Sequence, residues 1–143
     1  MKRIATYLSL VMLLCLSCKS GKVKYATTTT PIDVRIIKID DTSSERGVSD
    51  TIKLGRMHSG EIIAKTIRIE NDSDEPILLT HHQVSCGCLK VRYDRKPIDA
   101  GASSDINMEF DSRTMYGLQL KNLILYLAEK ERPIKIFVEA EVE

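Results

Sequence analysis

The residues with the most reactive side chains lie in one short stretch. Ser85-Cys86-Gly87-Cys88 carries two cysteines, and His81 and His82 precede it by a few positions. Thiolate sulfur and imidazole nitrogen bind copper(I) and zinc, and two thiols can also pair as a disulfide. The stretch therefore indicates a structural turn, a metal site or a redox-active pair.

Each of these three hypotheses makes a different demand on the chain. A disulfide between Cys86 and Cys88 needs a turn at Gly87, because residues two apart in an extended chain lie near the upper limit of allowed Cα separation. A copper or zinc site needs His82 or His81 beside the thiolates, and strand alternation sends the two histidines to opposite faces, so at most one can join. Thiol exchange usually uses Cys-x-x-Cys at a helix start, and neither feature is present. The sequence does not choose among the three.

The N-terminal residues predict the compartment. Met1-Lys2-Arg3 is a positive n-region, and residues 4–16 form an apolar stretch that is short for a membrane span and typical of a signal peptide. The following Ser17-Cys18 resembles the end of a bacterial lipobox, in which the cysteine becomes the lipid-carrying N-terminus. We therefore predict a signal peptide over residues 1–17, a lipid anchor on Cys18 and a flexible tether over residues 18–31, rich in Thr, Ser, Gly and Lys.

Composition argues against several classes of function. The chain carries 21 Lys and Arg against 20 Asp and Glu, so its charge gives no reason to expect nucleic-acid binding. No Gly-x-Ser-x-Gly elbow, His-Glu-x-x-His helix, phosphate-binding glycine loop or calcium loop occurs, and we predict no catalytic residue and no enzyme. A local basic cluster follows the cysteines and is a candidate contact for an anionic partner: Lys90, Arg92, Arg95 and Lys96.

Short alternating segments predict an all-β domain over residues 32–143. Ile106, Met108 and Phe110 alternate with polar residues, and the last segment places apolar residues from Ile134 to Val142 on one face. Gly, Pro or Asp separates such segments at intervals of roughly 10 residues. We predict an immunoglobulin-like antiparallel β-sandwich of seven to eight strands, without any required helix.

The order of several short motifs resembles the DUF1573 family over about residues 50–142. These motifs are Gly60-Glu61, Ile67-Arg68-Ile69-Glu70-Asn71, Glu75-Pro76-Ile77, Ser85-Cys86-Gly87-Cys88, Pro97-Ile98-Asp99-Ala100-Gly101 and Gly117. The resemblance implies an immunoglobulin-like fold in a secreted or lipid-anchored bacterial protein, and it brings no established biochemical activity.

Together these patterns predict a non-catalytic lipoprotein of the bacterial envelope, with no required cofactor. The domain is expected to face the periplasm and to present its surface to another envelope protein or a glycan, while the lipid contacts the membrane. The alternative is a periplasmic protein that binds copper or zinc, or exchanges thiols, through Cys86 and Cys88.

Overall fold

Period-two alternation of apolar residues produces eight β-strands in the computed structural model. The structure describes residues 34–129 and 132–143, without the side chains of residues 44 and 45. The strands are β1 (Val34–Ile39), β2 (Val48–Met57), β3 (Ile62–Asn71), β4 (Leu79–Val84), β5 (Leu89–Tyr93), β6 (Ser103–Asp111), β7 (Gly117–Leu127) and β8 (Ile134–Val142). The predicted signal peptide and tether, with Cys18, lie outside the described residues.

The strands form two four-stranded sheets. The first sheet has the order β1-β3-β6-β5, and the second has the order β2-β8-β7-β4. Four of the six strand pairings are antiparallel, as predicted, while β1 pairs in parallel with β3 and β2 in parallel with β8. The predicted all-β sandwich is therefore confirmed, with a parallel strand at one edge of each sheet.

The hydrophobic core lies between the two sheets. Ile106, Met108 and Phe110 of β6 are completely buried, and so are Leu123 and Leu125 of β7. Their inward positions are those that alternation predicts, because successive residues of a strand point to opposite faces. Removal of this apolar surface from water is the main force that holds the sheets together.

Two local features interrupt the regular strand pattern. One helical turn, α1 (Ser43–Arg46), lies in the polar segment between β1 and β2, although the predicted sandwich required no helix. It follows Asp40, whose carboxylate accepts hydrogen bonds from the Ser43 amide (2.9 Å) and hydroxyl (2.8 Å). Within β2, Gly55 adopts a positive φ of 78° at a bulge and lets pairing with β8 continue to Met57.

The described helix is too short to cross a membrane, and nothing else in the described part of the chain is a membrane-spanning helix.

Candidate functional site

The Ser85-Cys86-Gly87-Cys88 stretch joins the two sheets. The Ser85 amide donates to the carbonyl of Asn122 on β7 (3.0 Å), and the Ser85 hydroxyl accepts from the Asn122 amide (2.9 Å). At its other end the Cys88 carbonyl accepts from the amide of Asp111 on β6 (2.9 Å). The stretch is therefore fastened to a central strand of each sheet.

The two cysteines are joined by a disulfide in this structure, with Cα atoms 5.1 Å apart. Both side chains are half-buried and pack against the core. Gly87 between them is exposed, and a Cβ added there would meet no atom within 4 Å. Its φ is not among the positive values of the described glycines, so the turn does not use the left-handed freedom of glycine.

The two histidines point to opposite faces of β4, as alternation predicts. The His81 ring stacks on Tyr126 on the outside of the second sheet, with ring centroids 4.2 Å apart. The His82 ring meets the edge of Tyr93 at 5.7 Å on the inner side. His82 Nδ1 and Tyr93 OH are buried and have no hydrogen-bond partner among the described residues.

The metal hypothesis receives no support from this arrangement. Across residues 34–129 and 132–143, no group of three or more His, Cys, Asp or Glu side chains is placed to hold a metal ion. A disulfide leaves Cys86 and Cys88 without the free thiolates that zinc or copper(I) would need. The thiol-exchange hypothesis also gains nothing, because no described helix begins at either cysteine.

The basic cluster lies on and after β5, on the charged outer face of the first sheet. Lys90 lies directly across from Glu109 and Arg92 from Asn107 of β6, while Lys96 Nζ lies 3.5 Å from an Asp94 carboxylate oxygen. Arg95, in the loop after β5, is exposed. The cluster is thus interleaved with acidic side chains and does not form a uniform basic patch.

Further ion pairs neutralise the same face. Arg68 of β3 donates two hydrogen bonds to Asp105 of β6, at 2.7 and 2.9 Å, and this guanidinium lowers the pKa of that carboxyl. Arg113 similarly lowers the pKa of Asp111 at the end of β6. Paired charges of this kind keep a surface hydrated and give little drive for association.

The outer face of the second sheet is different in character, and we call it the leucine face. It is formed by the residues of β7, β8, β2 and β4 that point away from the core. The β7 residues on it are Leu118, Leu120, Asn122, Ile124 and Tyr126. Leu118 is 74% exposed and Leu120 is 59% exposed, and Tyr116, just before the strand, is 73% exposed. Three of the five large apolar side chains exposed in the described part of the chain thus lie on or beside this face, while Ile36 and Ile62 lie on the outer face of the first sheet.

The exposed leucines were not among the sequence-predicted site residues. In the apolar run of β7, Leu123, Leu125 and Leu127 alternate inward and are buried. When the same period is extended backwards, Gln119 and Lys121 point inward and the two leucines point outward. This alternation is the sequence signal by which the two exposed leucines could have been found.

The family comparison matches the chain from the start of β2 to the end of β8. The sequence model of DUF1573, described as a protein of unknown function, matches residues 47–142. The chain belongs to the DUF1573 family. This domain covers both sheets except β1, which precedes the matched region and pairs with β3. No curated protein matches the chain.

Several solved structures share the fold of this DUF1573 chain. A protein of unknown function from Porphyromonas gingivalis W83 is 21% identical with a TM-score of 0.57, over 64% of this chain and 43% of that one. The VesB protease of Vibrio cholerae is 13% identical with a TM-score of 0.55, over 69% and 33% of the two chains. A family 123 glycoside hydrolase from Clostridium perfringens is 9% identical with a TM-score of 0.56, over 64% and 22%. The chain spans less than half of each of these proteins, and the likeness is one of fold alone.

Proposed function

We propose that this chain is a non-catalytic lipoprotein of the bacterial envelope, and that its domain is a binding or scaffold module. The observation that carries the proposal is the contrast between the two outer faces. On the outer face of the first sheet, two exposed isoleucines lie apart from each other among paired charges. The leucine face exposes Leu118 and Leu120 on one strand, with exposed Tyr116 just before it. Exposed apolar side chains gathered in one patch mark contact surfaces, because burying them in a partner releases free energy.

The strand order supports an immunoglobulin-like architecture for the module. The order β3-β6-β5 in one sheet and β8-β7-β4 in the other is the B-E-D and G-F-C arrangement of a constant-type immunoglobulin domain. In such a sandwich the sheets form a rigid support, and recognition uses a sheet face, an edge or the loops. The leucine face is the G-F-C side of this arrangement.

The anchor is proposed from the N-terminal sequence. Residues 1–17 are a signal peptide, Cys18 carries the lipid, and residues 18–31 tether the domain to the membrane on its periplasmic side. The partner is another envelope protein or a glycan, and neither nucleic acid nor a cofactor has a part. Replacement of Cys18 by Ala should abolish incorporation of labelled palmitate and release the chain from the membrane fraction.

Site-specific photocrosslinking in the native envelope tests the binding proposal. A photoreactive phenylalanine analogue at Leu120 should give a discrete adduct with a protein or glycan. The matched control is Ile62 of β3, which is 57% exposed on the outer face of the other sheet and should give none. Equal crosslinking at the two positions, or no adduct at Leu120, would contradict the proposed function.

A further inference from the structure

We propose that the leucine face binds the same face of a second copy of this chain, with the strands of the two copies antiparallel about a two-fold axis. The axis passes through the row of Phe137 and Asn122. The inference rests on the proposed function and names the partner of its surface. It follows from the way charged and apolar residues are distributed along two neighbouring strands.

The register of β7 and β8 arranges the face in rows. Phe137 lies across from Asn122 in the central row, and Lys135 lies across from Ile124 in the next row towards one end. Towards the other end, Glu139 lies across from Leu120, followed by Glu141 across from Leu118. Strand β8 is therefore basic on one side of Phe137 and acidic on the other, while β7 is apolar on both sides of Asn122.

The two-fold axis lies in the plane of the interface and runs along the central row, perpendicular to the strands. It places each strand over the same strand of the second copy and reverses the order of the rows. Lys135 then faces Glu139 of the second copy, and by symmetry Glu139 faces the second Lys135. On β7, Ile124 faces Leu120 of the second copy. The operation joins opposite charges twice and matches apolar residues with apolar residues, as a self-complementary interface requires.

The flanking charges are compatible with this arrangement. Lys53 of β2 lies across from Glu139 within its own copy and would face the uncharged Ser49 of the second copy. Arg56 already donates to Glu141 at 3.1 Å. At the basic end, exposed Arg132 lies beside Lys135 in a shallow groove that also includes Phe137, and this groove would receive the Glu141 end of the second copy.

The first sheet does not allow the same pairing. The equivalent operation about Asn107 of β6 would place Asp105 against Glu109 of the second copy, and symmetry would repeat this acidic contact once. Like charges brought together across an interface cost free energy. The leucine face is therefore self-complementary about its central row, while the first sheet is not self-complementary about the row of Asn107.

The size of the face sets the expected affinity. Four strands and five alternating residues give an area of about 19 Å by about 27 Å. Two such faces bury on the order of 1,000 Å², which is at the lower end of specific interfaces. We therefore expect a dissociation constant in the micromolar range, and attachment to a membrane would raise the local concentration of the copies.

Charge reversal tests the pairing in the full, lipid-carrying chain extracted in detergent and studied by sedimentation equilibrium. Lys135→Glu and Glu139→Lys each create two like-charge contacts and should each weaken dimerisation at least about tenfold. The double variant restores opposite charges and should return to within about threefold of the native dissociation constant. Lys90→Glu and Glu109→Lys, on neighbouring strands of the first sheet, are matched controls that should leave dimerisation unchanged.

The outcomes separate this inference from the proposed function. A native chain that stays monomeric at about 100 μM, well above the expected micromolar dissociation constant, would overturn the dimer. The inference would also be overturned if neither charge-reversal variant changed the dissociation constant of the dimer. The same holds if the double variant did not return that constant towards the native value. If the chain is monomeric while Leu120 still crosslinks to a different envelope component, the dimer is refuted and the binding function stands.

Discussion

Replacement of the buried Asn71 by Ala should strongly destabilise the domain. This side chain is completely buried at the end of β3, and all of its polar atoms are used. Its Nδ2 donates to the carbonyls of Glu75 (2.8 Å) and Ile98 (2.9 Å), and its Oδ1 accepts from the Ser73 amide (3.1 Å) and hydroxyl (2.6 Å). One amide thus holds the turn after β3 against the loop before β6.

The magnitude follows from the number of hydrogen bonds removed. Asn71→Ala removes four hydrogen bonds, and at about 1 kcal/mol per bond we expect a loss of about 3 to 4 kcal/mol. The Ile98 carbonyl keeps the Ile77 amide as a donor, so the group left without a partner is the buried amide of Ser73. Ser73→Ala removes only one hydroxyl and should cost about 1 kcal/mol. Asn71→Asp keeps the volume of the side chain but replaces the donating amide group with an acceptor. It should therefore lower the free energy of unfolding nearly as much as Asn71→Ala.

Urea denaturation followed by circular dichroism measures these differences. With a slope of about 1.5 kcal/mol/M, Asn71→Ala should lower the midpoint by about 2 M and leave the slope unchanged. A loss no larger than that of Ser73→Ala would refute the reasoning, because it would mean that the four bonds contribute almost nothing net. Full stability of Asn71→Asp would refute the assignment of Nδ2 as the donor to two carbonyls.

Three further perturbations have defined expectations. Replacing both Cys86 and Cys88 by Ser should cost only about 1.5 kcal/mol in chemical denaturation, because a bridge between residues two apart closes a very short loop, and a loss above about 4 kcal/mol would contradict this. Arg68 lowers the pKa of Asp105, so their pairing stabilises the fold above the ordinary carboxyl pKa near 4 and is lost as pH falls through the lowered value. Arg68→Gln should therefore flatten the fall in melting temperature between about pH 5 and pH 2, and an unchanged profile would count against the pair. Ser112→Ala removes a buried hydroxyl that donates to loop carbonyls at 2.9 Å, and a melting temperature lowered by several degrees is expected, whereas an unchanged one would show the hydroxyl to be dispensable.

Strand alternation predicted most of the core because one face of each strand is buried. Ile106, Met108 and Phe110 were predicted inward and are all completely buried. The partners of each strand were not predictable in this way, because period two reports which face a residue occupies and not which strand lies beside it. The parallel pairing of β1 with β3 and the continuation of β2 past Gly55 depend on such long-range contacts.

The candidate site was predicted only in part, for a related reason. Alternation correctly sent His81 and His82 to opposite faces, but it could not tell that one ring would stack on Tyr126 and the other meet Tyr93. A basic run in the sequence does not show that Lys90 lies across from Glu109, because that neighbour is 19 positions away along the chain. The role of the basic cluster as a contact for an anionic partner stays a prediction.

We expect the leucine face to be covered by a partner in the cell envelope. The most direct measurement compares the alkylation rates of Leu120→Cys and Ile62→Cys in native membranes and in the detergent-purified chain. The two native residues are exposed to a similar extent, 59% and 57%, on opposite sheets. We expect labelling at position 120 to be slowed in native membranes and to recover on dilution of the purified chain, while labelling at position 62 proceeds at the same rate in both preparations. Equal labelling of both positions in both preparations would contradict it.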